Sequence, residues 1–117
     1  MQAQDAIDAV TFTGLKDQVG ADFVVELIDT YNTETGELIE RLCQALADQD
    51  AAAFGRLAHS IKSSSASLGA LAFSQQAREL EMLGKASELS GAGPKVKQLA
   101  ADFVLVKRRL EELRNEP

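Results

Sequence analysis

Tryptophan is absent from this 117-residue sequence, and tyrosine, cysteine and histidine occur once each, with two prolines. The lone cysteine, Cys43, excludes an intrachain disulfide and a cysteine cluster for zinc. It sits beside Leu42 and near Leu46 on a helical pattern and reads as a small core or boundary residue. No apolar run approaches the ~20 residues of a membrane span. The N-terminus lacks the basic stretch and apolar core of a secretory signal, so a cytoplasmic setting is the expectation. Cationic charge is scarce: 12 Lys and Arg stand against 18 Asp and Glu, giving a net charge of −6 and a pI near 4.7. That balance argues against general nucleic-acid binding, which calls for a basic face. Aromatic residues make up only 5%, so Leu, Val, Ile and Ala must fill a core.

Helix formers dominate, and few stretches alternate apolar and polar residues as strands would. The length suits one domain spanning residues 1–117 around one core. Residues 1–10 are polar and Ala-rich and are expected to fray, with Ile7 and Val10 as anchors. Thr11 or Thr13 is expected to cap a short helix ending before Gly20 and burying Phe12 and Leu15. Asp22 is the expected cap of a long helix to about Gln49. Its apolar residues Val24, Leu27, Ile28, Tyr31, Leu38, Ile39, Leu42 and Leu46 recur at spacings of three and four. Thr33, Thr35 and Gly36 weaken its middle, but the stripe stays in phase, which favours a continuous helix.

Asp50 caps the next predicted helix, from about Ala51 to Leu68, with a stripe of Phe54, Leu57, Ala58, Ile61, Ser65 and Leu68. Gly69 supplies the stop. A further helix to Lys85 presents Leu71, Phe73, Ala77, Leu80 and Leu83. Residues 87–93 form the clear loop. Pro94 stands where a first helical residue belongs and opens a last helix to about Arg114. There Val96, Leu99, Phe103, Val106, Leu110 and Leu113 step by three and four without a break. The fold class is all-α: an antiparallel four-helix bundle with a short additional N-terminal helix.

His59 lies roughly 140° from the centre of its helix's apolar stripe at ~100° per residue. Taken alone it reads as a solvated surface histidine. Its neighbours are unusual for a solvated face. Ala52, Gly55, Ser63 and Ala66 are all small, and Gly55 inside a helix costs about 1 kcal/mol against alanine. Lys62 projects one turn on from the same side. A smooth patch around one imidazole suits close approach by a partner surface. Imidazole is substantially neutral near pH 7 and nucleophilic. It can attack phosphorus, and a nearby ammonium can offset phosphoryl charge.

The run from Leu57 to Ala70, with His59, Lys62, the small residues Ser63 to Ser67 and then Leu68-Gly69, resembles the signature of histidine phosphotransfer (HPt) domains. The resemblance extends to Gly20-Ala21-Asp22-Phe23, to Gln49-Asp50-Ala51 and to Leu80-Glu81-Met82-Leu83-Gly84-Lys85. It implies a stand-alone phosphorelay carrier with His59 as phosphoacceptor at its outer ring nitrogen and Lys62 as charge partner. It also implies Glu81 and Lys85 as supporting residues, the first orienting the ring. A solvated i, i+4 ion pair is the plain alternative for those two. The small patch, with Gly55, Arg56, Ser63 and Ala66, is the expected docking surface. The segment departs from the pattern at Ser63, where the family usually has glycine.

The implied function is phosphoryl relay between receiver-domain aspartates, or from a hybrid sensor kinase to a response regulator. The protein would act as a monomer, without a cofactor of its own, with Mg²⁺ on the partner receiver. Nucleotide-binding motifs, Gly-rich phosphate loops and kinase boxes are absent, so autonomous kinase activity is not expected. Two other readings stay open: a receiver-docking module that carries no phosphate, and an enzyme using His59 as general base. Ser63-Ser64-Ser65 lacks a second histidine as base. Gly55 and Ser63, four before and four after His59, leave no helical metal-ligand pair.

Overall fold

The computed structural model describes residues 2–116. It contains five α-helices: α1 (Ala9–Val19), α2 (Ala21–Ala47), α3 (Ala51–Ser67), α4 (Leu71–Lys85) and α5 (Gly93–Arg114), and no strand among the described residues. Helices α2 to α5 form a bundle in which each packs on the next and α5 returns to α2, while α1 lies on α2. Connections of a few residues force neighbouring helices to run antiparallel. At 1.5 Å per residue, the 27 residues of α2 span most of the bundle's 45 Å long axis.

The helices form where the apolar periodicity places them. The whole predicted stripe of α3 is buried, from Phe54 to Leu68, as are Val96, Leu99, Val106 and Leu110 of α5. Phe103 and Leu113 pack half-buried at its margin. Helix α2 is continuous through Thr33, Thr35 and Gly36. Thr35 belongs to its core: one heptad from both Ile28 and Leu42, it is buried with them. Nearby, the Tyr31 hydroxyl and Ser65 Oγ share a hydrogen bond of 2.7 Å. This satisfies two buried polar groups at the α2–α3 seam.

Three apolar residues fall elsewhere than expected. Cys43 is exposed, neither core nor boundary, because it projects beside rather than along the Ile39–Leu42 stripe. Val10 is exposed on the outer side of α1, and Leu71 is exposed at the first position of α4, where the core stripe has not yet begun.

Caps refine the boundaries. Asp50 caps α3 as expected, accepting from the Ala53 amide at 3.0 Å. The cap of α1 is Asp8, which accepts from the Thr11 amide at 2.9 Å and its hydroxyl at 2.6 Å. Thr11 is thus the partner of the cap rather than the cap, and Thr13 is exposed. Gly20 stands at the start of α2 without a side-chain cap, and Asp22 lies within the first turn, where its charge faces the helix dipole. Pro94 occupies the first turn of α5, and the preceding loop contains a 3₁₀ turn, Leu89–Gly91.

Over its described part the N-terminal segment lies against the bundle. Ala3–Asp5 form a 3₁₀ turn against α5, and Ala6 and Ile7 are buried. The Asp8 amide donates to the Gly69 carbonyl at 2.8 Å. Gly69 has φ +92°, and an added Cβ would stand 3.0 Å from the Asp8 carbonyl oxygen. Only glycine meets both demands, the left-handed turn and the close backbone. Residue 1 lies outside the described residues.

Candidate functional site

The site lies along the α3–α4 pair, the most extensive helix contact in the fold. Two glycines set how near these helices come. A Cβ built on Gly84 would stand 2.7 Å from Gly55 Cα and N and 3.0 Å from the Ala51 carbonyl oxygen. The backbones therefore touch at this crossing. Gly55 is buried there, so its small size serves helix packing as well as any outward surface. Gly84, which the sequence marks only as one member of the matching segment Leu80 to Lys85, is the stricter of the two positions. A Cβ on Gly55 would meet its neighbours at an ordinary 3.7 Å.

One turn along, the close crossing brings α4 side chains onto His59. His59 Nδ1 lies 2.6 Å from Glu81 Oε2, and Lys62 Nζ lies 2.7 Å from Glu81 Oε1. Lys85 Nζ stands 3.5 Å from Oε2. The His59 side chain is 57% exposed and that of Glu81 only 6%. Glu81 is therefore no solvated partner of Lys85 but a buried carboxylate facing three nitrogen groups. The Lys62 hydrogen bond is the main force holding its carboxyl at about 2 instead of 4.5; burial opposes it, and the His59 hydrogen bond and the charges of Lys62 and Lys85 add to it.

The ionised carboxylate only accepts hydrogen bonds. Nδ1 of a neutral His59 must then donate, which leaves the lone pair on Nε2 of a half-exposed ring. Lys62 departs from the sequence expectation. Its ammonium does not reach outward but turns along α3 to Glu81, with 29% of the side chain exposed. Ser74 Oγ of α4 donates to the Lys62 carbonyl at 2.8 Å, tying that turn of α3 to α4. Ser74 was not singled out in the sequence, although it shares the α4 phase of Ala77 and Glu81.

Beside the imidazole is an open depression of about 550 Å³, lined by Ala51, Ala52, Gly55, Arg56, Ser60, Glu81, Gly84 and Lys85 as well as His59. Its floor is the glycine crossing. Arg56 and Lys85 are exposed at it, Ser63 is exposed further along α3, and Ala66 is half-buried. Ser60, which lines this depression, donates its hydroxyl to the Arg56 carbonyl at 3.3 Å. Ser64 and Ser67 lie on the side of α3 that faces α1 and α2 and donate to the carbonyls of Ser60 and Ser63 at 2.9 and 3.1 Å. Ser65 is committed to Tyr31, so the serine run forms no nucleophile pair with His59.

Residues 26–116 match the Hpt domain family. The chain belongs to that family. The fold is similar to the crystal structure of histidine-containing phosphotransfer protein B (HptB) from Pseudomonas aeruginosa PAO1. The TM-score is 0.89 and the sequence identity 28%, over 93% of this chain and 94% of that one. No curated protein matches the sequence. Hpt proteins are phosphocarriers that work with receiver domains and kinases in two-component phosphorelays, and this chain is a histidine phosphotransfer protein of that kind. No helix among the described residues is long and apolar enough to cross a membrane.

Proposed function

We propose that His59 is the phosphoacceptor and that the protein relays phosphoryl groups between receiver-domain aspartates, or from a hybrid sensor kinase to a response regulator. The observation that carries this is the 2.6 Å contact between His59 Nδ1 and Glu81. It leaves Nε2 as the free nucleophile of the chain's one histidine.

The Nε2 lone pair attacks the phosphorus of an aspartyl phosphate. The N–P bond forms as the acyl P–O bond breaks, and the carboxylate leaves with the electron pair. The ring keeps its Nδ1 proton and becomes a phosphoimidazolium, whose positive charge faces Glu81 as in a carboxylate–histidine pair. Attack by a second aspartate oxygen reverses these changes and restores neutral His59. Positioning and charge account for most of such a transfer, so few residues are needed. Mg²⁺ belongs to the receiver, and no autonomous kinase activity is assigned to this chain. It works as a cytoplasmic monomer and binds no nucleic acid.

Gly55, Arg56, Ser63 and Ala66, with the depression at the glycine crossing, form the docking face. Arg56 and Lys85 at its edge give cationic charge to an otherwise acidic chain, suited to a partner's acidic phosphate-bearing site. The test is phosphotransfer from phosphorylated receivers of the source organism. The parent should acquire acid-labile phosphate and His59→Gln none. Undiminished labelling of His59→Gln would refute the assignment.

A further inference from the structure

Helix α3 carries five serines, and four have their hydroxyls engaged within the fold. Ser65 shares its hydrogen bond with Tyr31 in the core. Ser60, Ser64 and Ser67 turn back to carbonyls of their own helix. Ser63 is the exception: its hydroxyl has no partner among the described residues, and the residue is exposed.

Its place on the helix gives that freedom a consequence. Four residues on from His59, at ~100° per residue, Ser63 stands only about 40° around α3 from it. Helical side chains lean toward the N-terminus, so its Oγ lies over the turn that carries the imidazole. On the same strip Ala52 is exposed and Ala66 half-buried, and neither side chain has a polar atom. A partner closing on His59 along this strip therefore meets the imidazole and the Ser63 hydroxyl, with Arg56 at the edge.

We propose that Ser63 is a specificity-determining residue of the relay: its free hydroxyl selects receivers that set a hydrogen-bonding group against α3 beside His59, and works against receivers that set an apolar side chain there. The inference rests on the α3 face being where receivers dock.

In the free protein water satisfies the exposed hydroxyl. Docking strips that water away. A receiver with a carbonyl, amide or hydroxyl opposite Ser63 replaces the lost bond. An apolar group leaves the hydroxyl buried and unpaired, which weakens association by about tenfold or more. Arg56 selects less sharply, because its long side chain can carry its charge back to water. Ser63 has a single short rotor on a fixed helical backbone. Turning that rotor back to the His59 carbonyl, as its neighbours turn to theirs, would cancel the selection, and the variants below detect this.

The test uses the full chain, labelled at His59, and receivers of the source organism. Second-order transfer constants are measured for a fast receiver and for a slow one that still binds. Ser63→Ala removes the hydroxyl and keeps Cβ. It should narrow the fast-to-slow ratio by about tenfold, slowing the favoured receiver, whose group loses its partner, and speeding the other. Ser63→Gly leaves room for a water in place of the hydroxyl, so it should keep the favoured rate and raise the slow one. Labelling of His59 by phosphoramidate, which needs no docking, should be the same in all three proteins. A ratio unchanged in Ser63→Ala, or an equal change for both receivers, would overturn the inference and leave the phosphoacceptor assignment standing. A parent that exchanges phosphate with no receiver would overturn the relay reading along with it.

Discussion

Gly84 and Gly55 bring the backbones of α4 and α3 into contact, with no room for a methyl on Gly84: its Cβ would lie 2.7 Å from Gly55 Cα. The two glycines are therefore unequal. Gly84→Ala should destabilise the protein by about 1–3 kcal/mol through overpacking and lengthen the His59–Glu81 contact. Gly55→Ala should be neutral or gain up to about 1 kcal/mol from helix propensity. Urea unfolding gives the energies, and the His59 ring signals in NMR report the contact. Equal losses from both substitutions would contradict the close crossing.

The low proton affinity of Glu81 carries a stability signature. The Lys62 hydrogen bond, ahead of the His59 hydrogen bond and the two lysine charges, holds the Glu81 carboxyl down at about 2 against an ordinary 4.5. A carboxyl with a depressed folded pKa stabilises above its unfolded value and loses that contribution as pH falls through the folded one. The contribution of Glu81 should thus be complete above about pH 4.5 and decline toward pH 2. Unfolding free energies of the parent and Glu81→Gln, measured across this window, should converge as pH drops. A constant gap between them would show that Glu81 gains nothing from its cations.

Tyr31 offers a clean optical check on the α2–α3 seam, being the only tyrosine in a chain without tryptophan. Burial is the main cause that raises its hydroxyl from 10 to about 12, against the opposing hydrogen bonds of Ser65 and Thr35. A raised folded value means stability present below pH 10 and lost as pH climbs from 10 to 12. Absorbance titration should show no phenolate near pH 10 while the fold persists. Phenolate appearing at pH 10 without unfolding would mean that the hydroxyl is wet.

Docking and chemistry should separate on α3. Ser63 is exposed on helical backbone, so no glycine conformation is needed there, and Ser63→Gly should transfer at least as fast as the parent. Ser63→Arg would place a long side chain on the proposed docking face. A cost of about 1–3 kcal/mol corresponds to a roughly 5- to 150-fold weaker affinity for a receiver. His59→Ala should keep measurable binding. Calorimetry against one receiver measures all three, and full affinity in Ser63→Arg would move the docking face elsewhere.

Much of this was legible in the sequence because helix periodicity is a local property. The stripes of α3 and α5, the Asp50 cap and the isolated position of His59 all follow from residues a few places apart. Other features were written there in a subtler form. Asp8 with Thr11 three residues on is a capping pattern, and Thr35 keeps the phase of Ile28 and Leu42. Glu81 keeps the buried phase of Ala77 and Gly84, where a carboxylate signals an internal partner. The direction of Lys62 was not legible. A lysine on a helix flank can turn to solvent or to its neighbour, and only the α4 carboxylate decides. The clasp between Asp8 and Gly69 joins residues some sixty apart, which no local pattern encodes.

His59 and Lys62 precede the turn at Leu68–Ala70, and Glu81 and Lys85 follow it. The three residues of that turn consequently act as a ruler of phase. Each residue inserted or deleted there would rotate α4 against α3 by about 100°, carrying Glu81 off the imidazole while every helix kept its length and composition. Surface loops commonly tolerate such changes; here a three-residue connection away from the imidazole sets whether the histidine has a carboxylate behind it.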